Sequence, residues 1–296
     1  MKILITGGAG FIGRYLAERL CNNNQITIYD DLSNSDEEKI SFLIQKGIKF
    51  IKGDVLDFQK LVESSKNFEL VIHLAAKSDV AESIIYPQDT INVNVNGTIN
   101  VLKCCVQNKI KKIIFASSAA VYGNCDKLIT EKSKTEPLSP YGKSKLDAEE
   151  QIRKFAKDGL IAISLRIFNV YGKGQNVQYA GVISKFLKNI SDYKPFVIYG
   201  DGNQTRDFVS VYDVVDAFEC AILSDHTNTY NIASGKSISI NELSEMISLV
   251  SGKKIGIIHK EQKKGDIKYS VVDVSLAKKD LGFSAKKSLR DELSKL

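Results

Sequence analysis

Residues 6–13, TGGAGFIG, follow the apolar run Ile3-Leu4-Ile5 and lead directly into a helical pattern with Ile12, Leu16 and Leu20 at i, i+4 and i+8. This order of strand, glycine turn and helix constrains the fold more than any other feature of the chain. Backbone amides at a helix N-terminus point toward a phosphate, and glycines let the phosphate come close. Two registers fit: Gly7, Gly10 and Gly13 as G-x-x-G-x-x-G, and Gly8, Gly10 and Gly13 as G-x-G-x-x-G. A glycine-rich turn alone can be merely a turn, but its surroundings argue otherwise. A second apolar run, Ile26-Thr27-Ile28-Tyr29, ends in Asp30-Asp31. An acid about 20 residues beyond the glycines is where adenosine ribose hydroxyls are held. A carboxylate there repels a 2′-phosphate, so the pattern points to NAD rather than NADP.

Further along, apolar runs and helical patterns alternate. Ile48-Phe50-Ile51, Leu70-Val71-Ile72, Ile113-Ile114-Phe115 and Ile161-Ile163-Leu165 read as buried strands. Between them the clearest helix spans residues 87–109, with Ile91, Val95, Ile99, Leu102 and Val106 predicted on one stripe. Near-continuous apolar strands separated by helices predict an α/β fold, a doubly wound parallel sheet of Rossmann type. After about residue 168 the elements shorten, with turn signals at Gly172-Lys173-Gly174 and Gly200-Asp201-Gly202. Residues 1–168 are expected to form the NAD-binding Rossmann domain. Residues 169–296 are expected to form a smaller substrate-binding lobe that returns some segments to the sheet.

Bulk properties narrow the class further. The 296 residues suffice for a substantial core. Cys21, Cys104, Cys105, Cys125 and Cys220 are scattered without C-x-x-C spacing, which argues against a disulfide framework or a zinc site. No metal and no nucleic acid partner are expected, because the net charge of +6 is not gathered into a basic arm. The first residues read as a strand rather than a signal peptide, and no apolar run reaches the length of a membrane span. A cytoplasmic location is expected.

The chemistry is expected at Ser139-Pro140-Tyr141-Gly142-Lys143-Ser144-Lys145. Ser139 suits a helix N-cap and Pro140 its first position. Tyr141 and Lys145 then lie one turn apart on one face. An ammonium near a phenol favours phenolate, so the Tyr141 pKa is expected to fall toward the working pH. Such a pair serves as a general base that removes a hydroxyl proton while a hydride leaves the same carbon. A chance Tyr-x-x-x-Lys is usually a solvated helix face, but this one follows a dinucleotide turn. The preceding strand also brings Ser117 and Ser118 to its carboxyl end, where open α/β sheets place their ligands.

The chain resembles the extended short-chain dehydrogenase/reductase family, in particular nucleotide-sugar epimerases of the UDP-galactose 4-epimerase type. The resemblance runs nearly end to end through TGGAGFIG (6–13), YDDLSN (29–34), GDVLD (53–57), HLAAKSDVAES (73–83), NVNGT (94–98), ASSAAVYG (116–123), PYGKSK (140–145), LRIFNVYG (165–172) and GDGNQTRDFVSVYDV (200–214). It implies that Gly7, Gly10, Phe11, Ile12 and Gly13 lie under the NAD pyrophosphate. Asp30 and Asp31, with Asn34 nearby, would hold the adenosine ribose, and Asp54 and Val55 would meet the adenine. Leu74, Ala75, Ala76 and Asn94 would line the cofactor channel, and Phe168 would approach the nicotinamide. Asn169 would bind the nucleotide sugar, Tyr199 would pack on uracil, and Arg206 would pair with the pyrophosphate of a UDP-sugar.

The resemblance also implies a mechanism. Tyr141 takes the proton of the sugar 4-hydroxyl while carbon 4 delivers hydride to NAD. Ser118 relays or stabilises that proton, Lys145 binds the nicotinamide ribose, and the 4-keto sugar turns before the hydride returns. Where related sequences carry an arginine in an R-x-G-D segment, this chain has Lys263-Lys264-Gly265-Asp266, which keeps charge but loses the bidentate fork. Ser270 stands four residues after Asp266, where the family places the wall beside carbon 2 of the sugar. A small residue there leaves room for an N-acetyl group. Both UDP-N-acetylglucosamine/UDP-N-acetylgalactosamine and UDP-glucose/UDP-galactose are therefore expected substrates, with a uronate epimerase or decarboxylase and a non-catalytic dinucleotide sensor as alternatives. A 4,6-dehydratase fits poorly, because Ser118-Ala119-Ala120-Val121 lacks an acid pair. The family implies a homodimer, and the terminal helix is expected to be short. Plainer roles are expected for His73, a satisfied core histidine, for His226 and His259 at the surface, and for Asp79 and Glu82 at a helix start.

Overall fold

Alternating apolar residues decide the core. In the first strand Ile3 and Ile5 point to one side and Leu4 to the other, and all three are buried. A strand apolar on both faces must lie inside a layered structure. The structure is a computed structural model that describes residues 1–125, 128–175, 181–262 and 267–295.

The strands are β1 (Lys2–Thr6), β2 (Gln25–Asp30), β3 (Lys49–Lys52), β4 (Leu70–His73), β5 (Lys112–Ser118), β6 (Ile161–Ile167), β7 (Asn169–Tyr171), β8 (Phe196–Tyr199), β9 (Thr205–Ser210), β10 (Asn228–Ile232), β11 (Ser237–Ser239) and β12 (Ile257–Lys260). The main sheet runs β3-β2-β1-β4-β5-β6-β10, and every neighbouring pair in it is parallel. Strand order reverses beside β1, so the crevice between the carboxyl ends of β1 and β4 is where ligands settle in such sheets. The smaller sheets β11-β9-β7 and β12-β8 carry the second half of the chain. The Rossmann expectation holds, and β10 is the later segment that returns to the main sheet.

Helices α1 (Phe11–Leu20), α2 (Ser41–Gln45), α3 (Phe58–Ser64), α4 (Val80–Ile85), α5 (Pro87–Ile91), α6 (Gly97–Gln107) and α7 (Pro140–Ala156) connect the first six strands. They are followed by α8 (Val182–Ser191), α9 (Val211–Leu223), α10 (Ile240–Ser251), α11 (Ser275–Leu281) and α12 (Leu289–Leu293). One face of the sheet packs Ile3, Ile5, Ile72 and Ile114 against Leu16 of α1 and Phe218 of α9. The other packs Leu4, Val71 and Phe115 against Leu102 of α6 and Ile152 of α7. A separate core in the second half gathers Phe186, Phe196, Ile198 and Leu243.

The continuous stripe expected over residues 87–109 is broken. A π-helical turn, Asn92–Asn96, separates α5 from α6. The wider turn holds an extra residue and rotates everything after it. Leu102 is buried as expected, but Val106, also expected on the stripe, is 59% exposed, while Val101, Cys104 and Cys105 are buried instead. Among the described residues no helix is long and apolar enough to cross a membrane.

Candidate active site

The glycine turn acts through sterics. Gly7 takes φ +72°, and its N–H donates to the Tyr29 carbonyl at 2.9 Å. A Cβ on Gly7 would stand 2.5 Å from the Ala75 nitrogen, and one on Gly13 would stand 2.6 Å from the Gly7 oxygen. Of the two registers, Gly7, Gly10 and Gly13 therefore carry the turn, although Gly8 also lies tight against the Ile28 side chain. Gly10 is the N-cap of α1, without a side-chain cap, and the first turn with Phe11 and Ile12 holds no acid. The positive end of α1 is left for an external anion, and this cradle fits a dinucleotide pyrophosphate.

At the end of β2, Asp30 Oδ2 accepts the Ala9 N–H at 3.0 Å and Oδ1 accepts the Leu32 N–H at 2.8 Å. Burial raises the Asp30 pKa, and these two bonds oppose it. Asp31 and Asn34 are exposed in the next loop, which Ser35 ties back through a bond to the Ala9 carbonyl. Asp54 is exposed, while Val55 is buried and packs where a Cβ on Gly97 would come within 2.7 Å. Leu74, Ala75 and Ala76 leave β4 half-buried beside the glycine turn. Phe168 is buried just past β6, with its ring against Tyr122.

Ser118, Tyr141 and Lys145 come together from β5 and α7. Ser139 caps α7 by accepting the Gly142 N–H at 3.1 Å, and Pro140 opens the first turn, as the sequence predicts. A Cβ on Gly142 would stand 2.4 Å from the Ala120 oxygen, so this glycine lets α7 press against the loop after Ser118. Ser118 Oγ accepts the Ala120 N–H at 3.2 Å, and its hydroxyl is near enough to the Tyr141 phenol to work against the effect of burial there. Lys145 is buried; its Nζ donates to the Ala116 carbonyl at 2.8 Å and lies 4.8 Å from the centre of the Phe115 ring.

The electrostatics correct one expectation. The Tyr141 pKa is raised rather than lowered: burial drives it up, and the Ser118 hydrogen bond opposes this. Burial also draws the Lys145 ammonium down to about 7. A one-turn spacing places two groups on one face but leaves the effect of desolvation on each unspecified.

Behind this pair the polar core is saturated. Thr98 Oγ1 donates to the Asn94 carbonyl at 2.6 Å, so it accepts from His73 Nε2 at 3.0 Å. His73 Nδ1 then accepts from the Thr6 hydroxyl at 2.6 Å. His73 is fully buried and neutral, its pKa pushed down to about 3 by burial and by nearby Lys145. Asn94 bonds both backbone groups of Lys77 and the Ser144 hydroxyl, which commits its amide to the loop beside Tyr141. Asp79 caps α4, and Glu82 pairs with Lys77 at 3.2 Å.

Asn169, Tyr199 and Arg206 line one open cleft with Gln204 and Phe208. Asn169 lies two residues past Ile167, the register partner of Ser118 in the main sheet, while Ser118, Tyr141 and Lys145 are not among the residues that line this cleft. Asn169 Nδ2 donates to the Asp207 carbonyl at 3.0 Å, and the Arg206 guanidinium donates to the Thr205 and Ile267 carbonyls. Ser270 is buried beside β9, its N–H donating to Thr205 Oγ1 at 3.1 Å. Lys263 and Asp266 lie outside the described residues. His226 and His259 are exposed.

Sequence reasoning missed Glu149 and Arg166, buried partners within the site. The available signal was an acid at i+4 from Lys145 on the face that carries Ala148 and Ile152 into the core.

The chain is similar to known proteins over nearly its whole length. Residues 3–233 match the model of the NAD dependent epimerase/dehydratase family. A Methanocaldococcus jannaschii protein provisionally named UDP-glucose 4-epimerase is 37% identical, over 99% of this chain and 96% of its own. The UDP-N-acetylglucosamine 4-epimerase of Methanobrevibacter ruminantium M1, solved with UDP-N-acetylmuramic acid, superposes with a TM-score of 0.94 at 34% identity, over 99% of this chain and 96% of that one. The Thermotoga maritima UDP-glucose 4-epimerase, solved with UDP-glucose, gives a TM-score of 0.94 at 32% identity, with the same two coverages. The chain belongs to the NAD dependent epimerase/dehydratase family, as an NAD-dependent extended short-chain dehydrogenase/reductase of the nucleotide-sugar 4-epimerase type.

Proposed function

We propose that this protein inverts carbon 4 of a UDP-hexose and accepts UDP-N-acetylglucosamine as well as UDP-glucose. The observation that carries the reading is the convergence at the carboxyl edge of the sheet of Ser118, which closes β5, with Tyr141 and Lys145 of α7, the Lys145 Nζ bonding the Ala116 carbonyl of that same strand. Residues 1–168 serve the cofactor and residues 169–296 the sugar nucleotide. The α1 N-terminus takes the NAD pyrophosphate, Asp30 the adenosine ribose, and Lys145 the nicotinamide ribose.

Tyr141 accepts the proton of the sugar 4-hydroxyl. Ser118 donates to the phenol oxygen and so stabilises the phenolate that burial disfavours. Lys145 sets a cation one helical turn away. A bound NAD would supply the acceptor and donor of the carbon 4 hydride, and Tyr141 gives its proton back to the sugar oxygen when that hydride returns to the opposite face, so net redox is zero. Arg206 holds the diphosphate while the sugar turns, and Tyr199 packs on the uracil. A second copy of the chain covers Ile84, Ile85 and Tyr86, which are 63%, 67% and 56% exposed, to form a homodimer.

Ser270 sets the choice of sugar, because its small side chain leaves space beside carbon 2. The test incubates the purified protein with UDP-glucose, UDP-N-acetylglucosamine and UDP-glucuronate and resolves the products. Wild type is expected to convert the first two, while Ser270→Tyr loses the N-acetyl sugar by about tenfold or more in kcat/KM, the effect of overpacking a wall by 1–3 kcal/mol. Exclusive turnover of the uronate would overturn the substrate assignment.

A further inference from the structure

Glu149 is a buried carboxylate that the proton transfer above leaves without a role. It lies on α7, one turn beyond Lys145 and two beyond Tyr141, and is 0% exposed. Its Oε1 accepts from the Ser117 hydroxyl at 2.5 Å and from Arg166 Nε at 2.8 Å. Its Oε2 accepts from Arg166 Nη2 at 2.7 Å and Arg153 Nη1 at 3.4 Å. Arg166, also buried, donates on to the Tyr122 hydroxyl at 2.9 Å, which in turn donates to Asn231 Oδ1 at 2.6 Å. These bonds join α7 to β5, β6 and β10.

A buried ion pair gives little net stability over apolar residues of the same size. Its position is the more informative property. Ser117 is the chain neighbour of Ser118, so the bond to Glu149 fixes the helix bearing Tyr141 against the strand bearing Ser118. Lys145 meanwhile has a carbonyl and an aromatic face as its close partners. The titratable and charged groups around it are Tyr141 and Glu149 on α7, neutral His73 on β4, and behind Glu149 both Arg166 on β6 and Arg153 of α7. Glu149 is the negative one in this set.

We propose that Glu149 is a positioning residue for the proton-transfer pair: its carboxylate pins α7 to the sheet edge and its charge keeps the Lys145 ammonium cationic. The inference rests on Tyr141 and Lys145 acting as assigned above. Burial lowers the Lys145 pKa and Glu149 acts against it. The bidentate bond to Arg166 offsets part of that charge, so the effect is moderate rather than large.

The test measures kcat and KM for UDP-glucose against pH with the NAD-loaded enzyme. Glu149→Gln keeps the shape and removes the charge. It is expected to lower kcat about tenfold at neutral pH, leave KM within about twofold, and move the alkaline limb of kcat down by about one pH unit. Ser117→Ala keeps the charge and loses the tether, so it is expected to lower kcat about threefold without moving that limb. Should the single variant not fold, Glu149→Gln with Arg166→Gln leaves neither charge buried alone, and a smaller shift of the limb in the same direction is expected, because the Arg166 offset is removed as well. A folded Glu149 variant whose pH profile coincides with wild type overturns the proposal. Tyr141→Phe, measured alongside, separates the two readings: if it stays active the catalytic assignment fails, and if it is dead while Glu149→Gln is unchanged, the Glu149 inference alone fails.

Discussion

Replacing Gly7 by alanine tests the cradle on which the cofactor assignment stands. At φ +72° the residue lies in the left-handed region, where an L side chain costs about 1–2 kcal/mol. The added Cβ would lie 2.5 Å from the Ala75 nitrogen, 2.7 Å from its Cα and 2.8 Å from the Leu74 carbonyl carbon. All three are backbone atoms of a segment held to β1 by the bond from the Leu74 N–H to the Thr6 carbonyl. No rotamer change relieves that clash, and forced displacement adds about 1–3 kcal/mol. The combined cost of about 2–5 kcal/mol is a large share of the 5–15 kcal/mol typical of a folded domain. It corresponds to a fall in Tm of roughly 4–20 °C. Gly10→Ala is the control, because Gly10 has φ −68° and its Cβ would meet the Gly7 oxygen at 3.2 Å. Thermal unfolding and the NAD recovered per chain after gel filtration give the two readouts. Gly7→Ala is expected to lose both stability and NAD, and Gly10→Ala to unfold close to wild type. A Gly7→Ala protein that melts within about 2 °C of wild type and retains full NAD would refute the steric argument.

Tyr141→Phe is expected to lower epimerisation about 10²–10⁴-fold with NAD and UDP-sugar binding retained, the cost of losing a general base; near-normal turnover would place the base elsewhere. The nucleotide released on denaturing the purified protein is expected to be NAD, and recovery of NADP instead would contradict a ribose contact by Asp30. His73 makes stability depend on pH. Its folded pKa of about 3 lies below the ordinary histidine value of 6.5, so between those values the unfolded chain binds the extra proton and stability falls as pH falls. One such group contributes a loss of about 2 kcal/mol from pH 6.5 to 5. Urea unfolding at both pH values is expected to show this slope flattened in His73→Gln, and an equal slope in the two proteins would assign the loss to other groups.

Local features of the site were legible because neighbours in sequence determine them. The Ser139 cap, Pro140 at the first position and the one-turn spacing of Tyr141 and Lys145 all depend on residues within a few positions of each other. The glycine turn and the acid closing β2 were legible for the same reason, as was the apolar alternation that requires a sheet covered on both faces. His73 was correctly read as a core residue, since a histidine ending a buried apolar strand has to find internal partners.

What only the tertiary structure decided concerns residues far apart in the chain. The π-helical turn at Asn92–Asn96 sets a register that hydrophobic spacing alone misassigned, exposing Val106 and burying Cys104 and Cys105. The choice of Gly7 over Gly8 as the left-handed turn residue comes from φ and from the approach of Ala75. The Tyr141 pKa moves opposite to the direction its lysine neighbour suggested, because desolvation depends on every atom packed around the phenol. Glu149 gained its place only once β5 and β6 brought Ser117 and Arg166 to it from 32 and 17 residues away. Helix spacing shows which side chains share a face; the field and solvation acting on them come from distant segments that meet only in the folded chain.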